Sequence, residues 1–124
     1  MSTPEPLLIL TADDLLADRW QALAPTVIRA REIEALDTWR KAGHRLVVAD
    51  LGTPLPGNAL LWTTPAWLRN ASGLAILAAS PRPDDDEGLA ILNAGASGYC
   101  HSHAPLDTLR QALEHIASGE LWVG

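Results

Sequence analysis

Four apolar residues, Leu46, Val47, Val48 and Ala49, run without alternation into a carboxylate, Asp50, and then into a Gly/Pro-rich segment, residues 52–57. An apolar run of that length suits a strand buried on both faces of a parallel sheet. A carboxylate at its carboxyl end lies where open α/β sheets place their ligands. The alternative is an ordinary strand-ending aspartate that bonds loop amides, as acids beside turns commonly do. Three further groups bear on chemistry. Asp13 and Asp14 follow the first apolar run, Leu7-Leu8-Ile9-Leu10, after Thr11 and Ala12. Asp84, Asp85, Asp86 and Glu87 crowd one segment, where they complement the start of a helix. His101 and His103 stand two apart beside Cys100. On one strand face they could hold a transition metal, but their spacing fits no zinc motif, and loop or surface histidines are the commoner outcome. Neither a phosphate-cradling glycine fingerprint nor a Ser-His-Asp context is present.

The composition bounds what these residues can serve. The chain has 124 residues, 48% of them hydrophobic, enough for one domain with one core. Its net charge of −6 argues against this chain itself gripping nucleic acid, which takes a basic face. No apolar run is long enough to span a bilayer, and the acidic, proline-broken start is unlike a secretory signal. A single cysteine excludes an internal disulfide and fits a reducing, cytoplasmic setting. Of nine basic residues only Lys41 is a lysine; phenylalanine is absent and tryptophan occurs five times.

The elements that must position Asp50 follow from periodicity. Strands are expected at residues 7–10, 26–28, 46–49, 74–78 and 97–101. Asp13 is placed to cap a first helix with Leu15, Leu16, Trp20 and Leu23 on its apolar stripe. A second helix carries Ile33, Leu36 and Trp39 and ends at Gly43. Thr64-Pro65 reads as a cap and first position of a short helix holding Trp67 and Leu68. A fourth helix runs from the acidic cluster through Leu89 and Leu92 to Gly95. A fifth opens at Pro105 and carries Leu106, Leu109, Leu113 and Ile116. Strands alternating with helices five times predict an α/β fold with a parallel sheet covered on both faces by right-handed crossovers.

Five such units, with an aspartate ending the third strand, make a flavodoxin-like, doubly wound three-layer sandwich. Three segments resemble the receiver domains of two-component response regulators: Asp50-Leu51-Gly52-Thr53-Pro54, Asn93-Ala94-Gly95-Ala96-Ser97-Gly98-Tyr99, and, as in the NarL/LuxR type, Ala117-Ser118-Gly119-Glu120-Leu121-Trp122. The resemblance covers nearly all of residues 1–124 and implies a sheet order of 2-1-3-4-5. It implies phosphotransfer to the third-strand aspartate, here Asp50, with Mg²⁺ held by that residue and an acid pair after the first strand. A Thr or Ser ending strand four and a Lys ending strand five would bind the phosphoryl oxygens.

Position by position, the resemblance keeps Asp50 and loses the rest. The acid slots fall on Thr11 and Ala12, with Asp13 and Asp14 two residues late. Sliding the acids into place would put Ala17 and Asp18 on buried helix positions, and burying an unpaired aspartate is costly. The Thr slot falls on Ala78, unless a shifted register brings Ser80 there. The Lys slot falls on Ser102; Lys41 lies at the far end of the sheet, and Arg82 is the only nearby cation. The expectation is therefore an atypical, non-enzymatic receiver without cofactor, not phosphorylated efficiently, that regulates transcription or signalling through protein contacts. Two alternatives stay open: a phosphoacceptor using Mg²⁺ with Asp13 or Asp14 and Ser80, and a small-ligand sensor at the strand tips. Tyr99 takes the place of the family's switch aromatic, against the plainer reading of a sheet-edge tyrosine with a solvated hydroxyl. A homodimer is expected, whose surface Ala104, Pro105, Leu109, Ala112 and Leu113 could feed, although the same residues serve an intramolecular core; a sensor histidine kinase or other regulatory protein is the expected partner. DNA would be contacted only through a helix-turn-helix domain outside this chain.

Overall fold

Six parallel strands form one sheet in the order β2-β1-β3-β4-β5-β6 in the computed structural model, which describes residues 4–123. The strands are β1 (Leu7–Leu10), β2 (Val27–Ala30), β3 (Leu46–Asp50), β4 (Ala75–Ser80), β5 (Gly98–His101) and β6 (Trp122–Val123). The helices between them are α1 (Asp14–Trp20), α2 (Ala35–Lys41), α3 (Pro65–Asn70), α4 (Asp85–Asn93) and α5 (Leu106–Ala117). Strands β1, β3 and β4 are buried along their whole length, as unalternating apolar runs require. Their side chains feed two cores. Val47, Ala49, Ile76 and Ala78 pack under α2, α3 and α4 with Leu36, Trp67 and Ile91. Leu46, Val48, Leu77 and Ala79 pack under α1 and α5 with Leu16, Trp20, Leu109 and Ile116.

The helix signals act as their chemistry dictates. The Asp13 carboxylate accepts the Leu15 and Leu16 amides at the start of α1, Thr64 accepts the Trp67 amide, and Asp84 accepts the Glu87 amide. Gly43 and Gly95 end α2 and α4 at positive φ, +86° and +104°, where a side chain would be strained. Three of the five tryptophans also acquire a reason. The buried indoles of Trp20, Trp39 and Trp67 donate to the carbonyls of Ser102, Leu46 and Ala94, pinning helices to the ends of neighbouring elements. A phenyl ring could fill the volume but not make the bond.

Several expectations are corrected. Leu15 is not in the core but 81% exposed: α1 buries Leu16, Ala17 and Trp20, and Leu15 falls off that face. Leu89 and Leu68 are likewise exposed, because α4 turns Gly88 and Ile91 inward and α3 turns Ala66, Trp67 and Asn70 inward. The fourth strand does not stop at Ala78. Small, buried Ala79 and Ser80 continue the ladder opposite Asp50 and His101, and Pro81 then ends it. A sixth strand extends the sheet beyond β5, since Gly98 has no Cβ to block it; one there would come within 3.1 Å of Trp122 Cβ. Leu109, Ala112 and Leu113 are buried against the sheet, which gives them the core role of the two open to them.

Asn70, fully buried, joins α2 to α3. It accepts from Arg40 Nε at 2.6 Å and donates to the Asp37 carboxylate at 2.7 Å, which also accepts from Arg69. The Arg69 and Asn70 donors hold the Asp37 carboxyl down from 3.8 to about 2. A depressed carboxylate contributes stability that is present above its ordinary range and lost as pH falls through its folded value. Between pH 4 and 2 the chain is therefore expected to lose more stability than Asp37→Asn does, measured by urea denaturation at each pH. Parallel curves would show that Asp37 is not linked to folding.

Candidate functional site

The sheet's strand order reverses between β1 and β3, and a doubly wound sheet opens a crevice at the carboxyl ends of that pair. Leu10 pairs with Ala49, so the next residues along, Thr11 and Asp50, meet at the tips. The Thr11 hydroxyl donates to Asp50 Oδ2 at 2.7 Å and accepts the Asp13 amide at 3.0 Å. The Gly52 amide donates to Asp50 Oδ1 at 2.8 Å, and the Thr53 hydroxyl stands 3.4 Å from Oδ2. Asp50 is buried, with both oxygens held by neutral donors. Gly52 is tight here: a Cβ on it would come within 3.1 Å of Asp50 Oδ1 and 3.2 Å of Pro81.

Above this pair opens a cleft of about 370 Å³, walled by Ala12 and Asp13 on one side, Gly52, Thr53 and Pro81 on another, and Ser102 and His103 on a third. The structure thus brings Thr11, Ala12, Asp13, Asp50 and Ser102 together. Ala78 and Ser80 are not in the wall. Ala78 is two residues short of the strand tip and packs in the core, while Ser80, at the tip, accepts the Arg82 amide. Neither Arg82 nor any other lysine or arginine lines the cleft. Ser102, in the lysine slot, is 1% exposed, and its hydroxyl has no partner among the described residues. Lys41 closes α2, at the end of the sheet away from the strand tips.

The acids expected to hold a metal are engaged otherwise. Asp13 caps α1, and Asp14 pairs with Arg31 at the surface. Among the described residues no three His, Cys, Asp or Glu side chains come together as a metal site. A hard divalent cation takes six or more oxygen ligands, anionic ones for preference, and one carboxylate already bonded to three donors does not fit it. The histidine pair is also accounted for: His101 Nδ1 accepts the His103 amide at 2.9 Å, and the neighbouring Cys100 is buried, its thiol pushed up to about 12 by desolvation.

Tyr99 is neither at the sheet edge nor solvated. It is 6% exposed in the core under α4, and its hydroxyl donates to Glu87 Oε1 at 2.6 Å and accepts the Asp84 amide at 3.0 Å. Burial first, and then the Glu87 carboxylate, push its pKa above the usual tyrosine value. No residue pattern signals this tie, because the acidic cluster reads fully as a helix start.

No protein-family model and no curated protein sequence matches the chain. Solved structures do. A two-component response regulator of the LuxR family from Aurantimonas sp. SI85-9A1 superposes with a TM-score of 0.79 at 22% identity, over 97% of this chain and 89% of that one. The non-phosphorylated receiver domain of the stress response regulator RcsB from Escherichia coli also gives 0.79, at 14% identity, over 98% and 99%. A LuxR family DNA-binding response regulator from Silicibacter pomeroyi gives 0.73 at 17% identity, over 98% of both chains. The chain has the flavodoxin-like fold of a response-regulator receiver domain, extended by β6.

Proposed function

We propose that this is a receiver-like regulatory domain that works through protein contacts and does not take a phosphoryl group efficiently on Asp50. The observation that carries the reading is the Thr11 hydroxyl, bonded at 2.7 Å to Asp50 where a phosphoacceptor site needs a second carboxylate. Phosphoryl transfer is catalysed almost wholly by positioning and by cationic charge set against the transferring group. Here the cleft offers Asp50 and Asp13 as charged neighbours and no lysine or arginine. An incoming phosphoryl group would meet repulsion without an opposing charge. The domain is non-enzymatic in this reading. Its partner is a sensor kinase or another regulatory protein, and DNA is contacted by a separate output domain in a regulator of the LuxR type.

One observation favours the competing reading of a working phosphoacceptor: Asp13 lines the same cleft as Asp50. Incubation with acetyl phosphate and Mg²⁺, followed by intact mass, separates the two. The expected spectrum is that of the unmodified chain after an hour. A rapid, stoichiometric gain of one phosphoryl mass that is absent in Asp50→Asn overturns the proposal.

A further inference from the structure

The cleft over Asp50 holds negative charge that the chain does not balance. Asp50 is buried, and Asp13 stands on the same wall. Among the described residues no lysine or arginine lines the cleft; its other titratable side chain is His103, which is exposed. Nor does Asp50 form an ion pair with any described residue. Its close donors, the Thr11 hydroxyl at 2.7 Å and the Gly52 amide at 2.8 Å, are both neutral. A carboxylate has about four lone-pair sites, so two short bonds leave acceptor capacity on a buried anion. Burying an anion without a cation beside it is costly.

A second observation points into the same recess. Ser102 lines it and is 1% exposed. The Ser102 amide donates to the Ser80 carbonyl at 2.8 Å, and its own carbonyl accepts from the Trp20 indole at 3.3 Å. Its hydroxyl alone has no partner among the described residues. Thr53 is held loosely, its hydroxyl 3.4 Å from Asp50 Oδ2 and 3.4 Å from the Ala12 amide. One carboxylate and two hydroxyls thus share a cleft whose remaining wall is apolar, with Leu16, Pro54 and Pro81.

Few ligands suit that combination. An anion would be repelled by Asp13 and Asp50. A hard divalent cation takes more anionic oxygens than the cleft supplies. A guanidinium grips a carboxylate as a fork and wants both oxygens free side by side, whereas Thr11 and Gly52 already engage one each. An ammonium is a compact charge with three N–H donors, and it takes one acceptor from each of three groups. The apolar wall suits a short alkyl chain, and about 370 Å³ lies at the small end of the range for ligand pockets.

We propose that the cleft binds a small primary alkylammonium, with the ammonium seated among Asp50, Thr53 and Ser102 and the alkyl chain along Leu16, Pro54 and Pro81. This goes beyond the reading of a domain that works by protein contacts, and the two fail separately: intact mass reports phosphoryl transfer, and amide shifts report the amine. The test is a titration of the ¹⁵N-labelled chain with butylammonium chloride, with ionic strength held constant by KCl. Saturable shifts are expected at Thr11, Gly52, Thr53, Ser102 and His103, with a Kd between about 0.1 and 10 mM for a ligand of so few atoms. Butanol keeps the chain and drops the charge; tetramethylammonium keeps the charge and drops the N–H donors. Each is expected to bind at least about tenfold more weakly. MgCl₂ is expected to leave these amides in place. Asp50→Asn keeps an acceptor for the Gly52 amide and weakens butylammonium at least about tenfold. Ser102→Ala weakens it about fivefold without lowering the melting temperature of the amine-free chain, since it removes a hydroxyl that bonds to nothing. No saturable shift at about 100 mM butylammonium, equal binding of butanol or tetramethylammonium, Mg²⁺ moving the same amides, or unchanged binding in Ser102→Ala overturns the proposal.

Discussion

The double variant Thr11→Asp/Ala12→Asp is expected to unfold about 10–20 °C below the parent chain in the absence of metal and to recover about half or more of that loss in millimolar Mg²⁺, while the parent melts at the same temperature with and without it. In the parent, Thr11 is 4% exposed and donates at 2.7 Å to Asp50 Oδ2. A carboxylate in its place removes a donor from a buried anion and sets a second anion against it. Leaving a buried charge uncompensated costs about 3–5 kcal/mol, a large part of the roughly 5–15 kcal/mol a domain of this kind holds. Three carboxylates at the tips of β1 and β3 would then supply what a hard cation takes. Metal at a hundred times its dissociation constant adds about 2.7 kcal/mol, or about 10 °C for a chain of this length. The measurement is a thermal melt with Mg²⁺ against an EDTA control. A parent chain that gains the same shift would mean that Asp13 and Asp50 already hold the ion, and the reading of this cleft would fail with it.

What could be read from the residues, and what could not, divides along physical lines. Parallel strands buried on both faces announce themselves as unbroken apolar runs, so β1 and β3 were legible almost to the residue, Asp50 with its place at the crevice included. Capping acids and ending glycines were legible because their chemistry is local. The end of β4 was not. Ala79 and Ser80 carry no strand propensity, and Ser80-Pro81 looks like a turn; what keeps them in the sheet is pairing with Asp50 and His101, a tertiary fact. The strand thus ends on Ser80, two residues beyond Ala78, and both stay open for the slot that the resemblance implies there. β6 was hidden for the same reason. Two residues have no period, and their place depends on room left by Gly98, about two dozen positions earlier in the chain but adjacent in space. The Thr11–Asp50 bond could be anticipated only through register, since it joins residues on two strands whose offset no local pattern fixes.

The second large effect falls on Trp20, which couples the first helix to the cleft wall. Its side chain is fully buried between α1 and the β5–α5 connection, and its indole Nε1 donates to the Ser102 carbonyl at 3.3 Å. Truncation to alanine removes the ring from a packed core, a loss of about 3–5 kcal/mol. It also strands a buried carbonyl, for about 1–3 kcal/mol more. Trp20→Ala is therefore expected to be largely unfolded, or to show a urea midpoint less than half the parent's. Trp20→Phe separates the two contributions, because it retains most of the apolar volume and drops the hydrogen bond. It is expected to stay folded, about 1–3 kcal/mol less stable, the range for a buried carbonyl left without its donor. The local consequence is specific. Ser102 and His103 line the cleft over Asp50, and the remaining tie from α1 to this connection is Arg19, whose Nη2 donates to the Ala104 carbonyl at 3.0 Å. Amide exchange at Ser102, His103 and Ala104 should accelerate in Trp20→Phe while exchange in β1 and β3 changes only by the global loss of stability. Uniform acceleration across all strands would mean that the indole holds the core as a whole and has no particular hold on the wall of the cleft.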